Sequence, residues 1–172
     1  VKYASERSEG QRKTDEAEGA RGANLGQNIF HRPASSGVYA IVTNLELARI
    51  GLNDITQTYD IDQEERRARQ KLLLESLLYS FLQPNGAMRN TQHPHLVAFE
   101  GVVAVSQCAV PAPTVSPLSN TYGEQIEQIT LSLAPLHGGQ VQLYPFDSLS
   151  AFAAIMAELI EKGEPYQLAF KE

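Results

Sequence analysis

Several things are scarce in this 172-residue chain, and each scarcity excludes something. Tryptophan is absent and methionine occurs twice. Cysteine occurs once, at Cys108, so an internal disulfide framework is excluded. Cys108 lies in an apolar setting that fits an inert core thiol in a reducing compartment. No apolar run approaches the roughly 18–20 residues that span a bilayer, and the three-part pattern of a signal peptide is missing. A cytoplasmic protein with no membrane partner is expected. Its first residue is Val1 and not methionine, so a portion preceding it is expected as well. Positive charge is thin. Arg89 is the one lysine or arginine between Lys71 and Lys162, and the formal net charge is −6. A free-standing nucleic-acid binder is normally basic, so strong autonomous binding is disfavoured.

Motifs are scarce too. There is no G-x-x-x-x-G-K-[ST], no G-x-G-x-x-G and no G-x-S-x-G elbow, so neither a phosphate cradle nor a nucleophile of those types is present. His31, His93, His95 and His137 are the only histidines. His93 and His95 would share a face in an extended segment, but no cysteine or carboxylate cluster completes a metal site. No catalytic residue, metal or cofactor is expected.

What remains is a chain that is 42% hydrophobic and 20% charged, the globular class. Residues 1–32 read as a flexible polar insertion or linker, because residues 5–28 mix both signs with recurring glycine. Residues 33–172 read as the folded portion. The run 38–47 is apolar and β-branched, as a strand should be. Residues 62–82 form the clearest helix, with Asp62 as cap, Glu64 and Glu65 in its first turn, and Leu73, Leu74, Leu77, Leu78 and Phe81 at helical spacing. Its cations Arg66, Arg67, Arg69 and Lys71 are either a solvated face with acid–base pairs or a basic edge for a partner.

Further strands are predicted over 96–107, weakly over 126–133, over 141–144 and over 165–171. The proline-rich stretch 109–120 cannot be a regular element. His137-Gly138-Gly139 is a tight turn. A helix from 149 to 162 is capped by Asp147 or Ser148 and stopped by Gly163. This order points to a layered α/β (α+β) sandwich and not to a bundle or an all-β barrel.

The stretch 84–95 links the first helix to the next strand. Gly86 relaxes the backbone, Arg89 can pair with a phosphate bidentately, and Asn90, Thr91 and Gln92 can bond a nucleic-acid backbone or a 2′-hydroxyl. His93 can stack or donate. A polar surface connection is the plain alternative.

Residues 32–40, Arg-Pro-Ala-Ser-Ser-Gly-Val-Tyr-Ala, followed by 48–53, Ala-Arg-Ile-Gly-Leu-Asn, resemble the DevR-type CRISPR-associated autoregulator family. The likeness continues through Gly86-Ala87-Met88-Arg89 and residues 96–103 into the proline-rich segment, covering about residues 30–135. It implies an RRM-like (ferredoxin-like) antiparallel sheet with helices packed on one face, partly incomplete here because family members are longer. It implies no enzymatic activity but a backbone subunit of Cascade, the type I CRISPR surveillance complex. Its partners would be CRISPR RNA, target nucleic acid reached through that RNA, copies of itself in a helical filament, and other Cascade subunits. By position it places Gly86, Arg89, Asn90 and Thr91 at the RNA, with Ala87, Met88, Gln92 and His93 beside them. A DNA-binding autoregulator using Arg66–Lys71, or a nuclease using His93 or His137, are the competing expectations.

Overall fold

In a computed structural model the chain is α+β, and the structure describes residues 2–3, 30–31, 37–84 and 94–169. The linker expected over 5–28 lies outside the described residues. The chain divides into two units, Val1–Val38 and Tyr39–Glu172. The first contributes one antiparallel pair, β1 (Lys2–Tyr3) with β2 (Phe30–His31).

The second unit opens with residues 39–46, which form no strand, and a single 3-10 turn at Leu47–Arg49. The expected strand over 38–47 is therefore corrected. Its apolar residues have no neighbouring strand among the described elements, and Val42 stays 54% exposed, while Leu45 and Leu47 pack on the core instead. β3 (Leu52–Asn53) and β4 (Thr58–Tyr59) follow as a small hairpin. The Asn53 side chain folds that hairpin by accepting the backbone N–H groups of Ile55 and Thr56. Gln57 closes it at φ 56°, donating its N–H to the Asn53 carbonyl at 2.8 Å.

α1 (Gln63–Leu82) starts where the Asp62 carboxylate accepts the Glu65 N–H at 2.8 Å. β5 (Gly101–Ser106) and β6 (Val141–Phe146) are antiparallel neighbours, from Gly101 opposite Phe146 to Ser106 opposite Val141. The Gln107 N–H extends the ladder to the Gln140 carbonyl at 2.9 Å. The strand pair is thus a hairpin opened by a long excursion. That excursion carries the proline-rich stretch, irregular as expected, and α2 (Tyr122–His137).

The weak strand over 126–133 is corrected to the middle of α2. Ile126, Thr130 and Leu133 recur at three- and four-residue spacing, and that helical period prevails over β-branching. Gly138 ends α2 in the left-handed conformation at φ 63°, and Gly139 follows at φ 73°. α3 (Leu149–Lys162) is capped by Ser148, whose hydroxyl accepts the Ala151 N–H at 3.3 Å.

α1 packs on α3, and both α2 and α3 meet β6. The buried core is Leu74 and Leu78 from α1 with Phe152 and Met156 from α3. Residues 163–169 form no strand, which corrects the strand expected over 165–171 in its described part. They are held by side chains, as described next.

Candidate nucleic-acid interface

The 85–93 segment leaves from the end of α1 and returns at Pro94, and both of its stems are fixed. Phe81, on the last turn of α1, lies 5.1 Å from Phe99 between ring centroids. Phe152 of α3 meets both of them edge-on, at 5.5 and 5.2 Å. Phe146 of β6 completes the group, 5.2 Å from Phe99 and 5.1 Å from Phe152. Four of the six phenylalanines thereby form one platform at the stems. Gly101 makes room for it. A Cβ at Gly101 would stand 2.6 Å from the Phe146 ring. Aromatic pairs in such tilted and edge-to-face arrangements are worth about 0.5–1.5 kcal/mol each beyond their buried area.

Gly86, Arg89, Asn90, Thr91, Gln92 and His93 lie outside the described residues, as does the His137 side chain. The electrostatics of the stems are nevertheless defined. The last turn of α1 holds no basic residue, and its carbonyl end carries the negative pole of the helix dipole. On the return, Glu100 sits just before β5. The described stems, residues 79–84 and 94–100, carry no lysine or arginine.

The basic run on α1 has a different fate. Arg66 is 1% exposed and is a structural clasp. Its Nε donates to the Ile50 carbonyl at 3.1 Å, its Nη2 to the Tyr166 carbonyl at 2.9 Å, and its Nη1 to Gln63 Oε1 at 3.1 Å. Its guanidinium lies 3.8 Å from the centroid of the Tyr59 ring. The Tyr59 hydroxyl in turn donates to the Ala48 carbonyl at 2.8 Å and accepts the Leu168 N–H at 3.1 Å. Hairpin, helix and the 163–169 tail therefore meet on one buried cation. Sequence reasoning missed this role, because an arginine inside an Arg-Arg-Ala-Arg run looks like a solvated one.

The other three cations face carboxylates. Arg67 pairs with Glu164 at 3.0 Å, Arg69 with Glu65 at 2.8 Å and Lys71 with Glu75 at 3.9 Å. A groove between α1 and α3 is lined by Arg67, Lys71, Glu75 and Glu161 among others, so its charge is balanced. Of the two readings of this run, acid–base pairing at a solvated face fits Arg67, Arg69 and Lys71. Among the described residues, no three His, Cys, Asp or Glu side chains gather so as to hold a metal ion. No helix among them is long and apolar enough to cross a membrane.

The architecture is thus an α+β chain in which an aromatic group joins the end of α1 to the approach of β5. The family model for the CRISPR-associated negative auto-regulator DevR/Csa2 matches residues 1–127, and the chain belongs to that family. The match includes α1, the whole 85–93 segment and β5, and ends within α2. No curated protein and no solved structure matches the chain.

Proposed function

We propose that this CRISPR-associated protein is a non-catalytic, guide-RNA-binding backbone subunit of a type I Cascade-like complex, with residues 86–93 gripping the RNA backbone. The family match carries the proposal, because the matched residues 1–127 include that segment. The chemistry supports it. Arg89 supplies a bidentate phosphate donor, and Asn90, Thr91 and Gln92 supply donors and acceptors suited to a 2′-hydroxyl. One arginine is a small electrostatic footprint. Binding is therefore shared among copies of the chain along one RNA, where each weak grip adds to the next. Target nucleic acid is then read by base pairing with the RNA, and the protein holds the shape of the guide.

The family's auto-regulator description motivates a second reading, a duplex-DNA binder. That reading needs outward, unpaired cations on a docking helix. On α1, Arg66 is buried and Arg67, Arg69 and Lys71 are already paired, which favours the RNA reading.

The test is whether RNA travels with the intact protein. The purified protein is expected to show a nucleic-acid absorbance ratio that falls to that of protein alone after ribonuclease and not after deoxyribonuclease. Purification free of RNA, or with duplex DNA in its place, overturns the proposal.

A further inference from the structure

Residues 164–169 follow α3 without joining any strand, and among the described residues no backbone group of another segment bonds to them. Side chains hold them instead. Arg66 Nη2 donates to the Tyr166 carbonyl at 2.9 Å and Gln63 Nε2 to the Pro165 carbonyl at 3.5 Å. The Tyr59 hydroxyl accepts the Leu168 N–H at 3.1 Å, and Arg67 pairs with Glu164 at 3.0 Å. Three of these four contacts reach main-chain atoms of the tail. Apart from Glu164, the tail buries side chains only at Pro165, which is buried, and at Leu168, which is half-buried and lines a small cavity with Leu52. Tyr166 and Gln167 between them are exposed.

The cleft that receives the tail has walls tied by contacts in which the tail takes no part. The Tyr59 hydroxyl donates to the Ala48 carbonyl at 2.8 Å, and Arg66 Nε donates to the Ile50 carbonyl at 3.1 Å. The Arg66 guanidinium also stays over the Tyr59 ring, 3.8 Å from its centroid. The cleft is therefore preformed. It reads an extended backbone, taking a carbonyl and then the N–H two residues further on.

We infer that the cleft between the β3–β4 hairpin and the start of α1 is a peptide-binding site, filled in cis by residues 164–168, that takes an extended Pro-x-x-Leu segment of a partner polypeptide in their place. It stands at the opposite end of α1 from the segment proposed to hold RNA. The tail acts as a tethered competitor. It has no ladder and rests on a few side-chain contacts, as locally opening segments do. It lowers the apparent affinity for a partner in proportion to the fraction of open clefts. A helix cannot replace it, because helical N–H and carbonyl groups are already bonded within the helix. A second copy is a poor occupant, because its own tail is engaged at the high effective concentration of a tether.

The test uses the intact protein and a fluorescein-labelled peptide with the sequence of residues 163–169, followed by anisotropy, with the same residues in scrambled order as control. Pro165→Gly with Leu168→Gly loosens the tail and leaves every residue of the cleft in place. That variant is expected to bind the peptide at least about tenfold more tightly than wild type does, and at least about tenfold more tightly than it binds the scrambled peptide. Adding Tyr59→Phe is expected to weaken its binding about fivefold, through loss of the acceptor for the leucine N–H. Equal affinity of wild type and the loosened variant, or of the two peptides, overturns the inference. So does a wild-type dimer in sedimentation that the tail substitutions dissolve, because a second copy is then the occupant. Hydrogen exchange of the wild-type chain adds a check free of substitutions. The Leu168 amide is expected to exchange at least about tenfold faster than the amides of Leu74 and Leu78 in α1. Exchange at the rate of those core amides overturns the inference, because the tail then leaves only when the whole fold opens.

Discussion

Phe81 and Phe99 stand ring to ring, 5.1 Å apart, on the two stems of the 85–93 segment. The contact joins the end of α1 to the approach of β5, and Phe152 backs both rings from α3. The stems of the segment proposed to hold RNA are therefore joined by the same aromatic group that closes the core, so stems and core share one stability.

Phe152 is the centre of that group and is 4% exposed. Phe152→Ala removes a buried ring and leaves a cavity between α1, α3 and Phe99, at an expected cost of about 3–5 kcal/mol. Urea unfolding followed by circular dichroism measures it. A loss below about 1 kcal/mol would mean that the site collapses freely and that the platform is not a packed unit.

The Arg66 clasp makes a sharper demand. Arg66→Ala strands the Ile50 and Tyr166 carbonyls and removes the cation from the Tyr59 ring, with an expected loss of about 3 kcal/mol. Arg66→Lys is expected to recover less than half of this, because an ammonium cannot reproduce the planar fork. Tyr59→Phe gives up two hydrogen bonds and is expected to cost about 1–2 kcal/mol. By contrast, Arg69→Gln breaks an exposed pair and is expected to change stability by less than about 1 kcal/mol. Denaturant midpoints of the four variants order them, and equal losses for Arg66→Ala and Arg69→Gln would contradict the clasp.

Tyr122 gives a pH signature. Burial first, and the Glu100 carboxylate second, raise its phenol above the ordinary pKa of 10.0. A phenol whose folded pKa is raised favours its protonated form in the folded state. Its contribution to stability is complete below pH 10.0 and is lost as pH rises through the folded value. Ultraviolet titration of tyrosinate is expected to lose its high-pH component in Tyr122→Phe, and that component is expected to move down in Glu100→Gln. An unshifted titration in Glu100→Gln would remove the carboxylate as a cause.

What the sequence made legible follows from local physics. α1 and α3 announced themselves through their caps, Asp62 and Ser148, and through leucine spacing, both of which act within a few residues. Gly138 marked the end of α2, although the helix itself was hidden. Ile129, Thr130 and Leu131 suit a strand, and only the three- and four-residue spacing of Ile126, Thr130 and Leu133 indicates otherwise. The segment 38–47 looked like a strand because composition reports what a residue can do, whereas a strand also needs a neighbour. The β3–β4 hairpin went unread, since its turn depends on the Asn53 side chain and on Gln57 at φ 56° in place of a glycine. Arg66 was illegible for a related reason. Its partners at Ile50 and Tyr166 are sixteen and a hundred residues away in sequence. For the interface, residue chemistry left the polar segment open between a surface connection and an RNA grip, and family resemblance supplied the preference.

The central claim is tested most directly by the salt dependence of guide-RNA binding in wild-type protein and in Arg89→Ala. Arg89 is the one lysine or arginine between Lys71 and Lys162, so no other lysine or arginine in that stretch can replace it in the proposed phosphate contact. Wild-type affinity is expected to fall linearly with salt on logarithmic axes. Arg89→Ala is expected to bind more weakly at low salt, with a slope reduced by about 0.7 for each phosphate that a copy no longer neutralises. An Arg89→Ala protein with wild-type affinity and an unchanged slope would contradict the account.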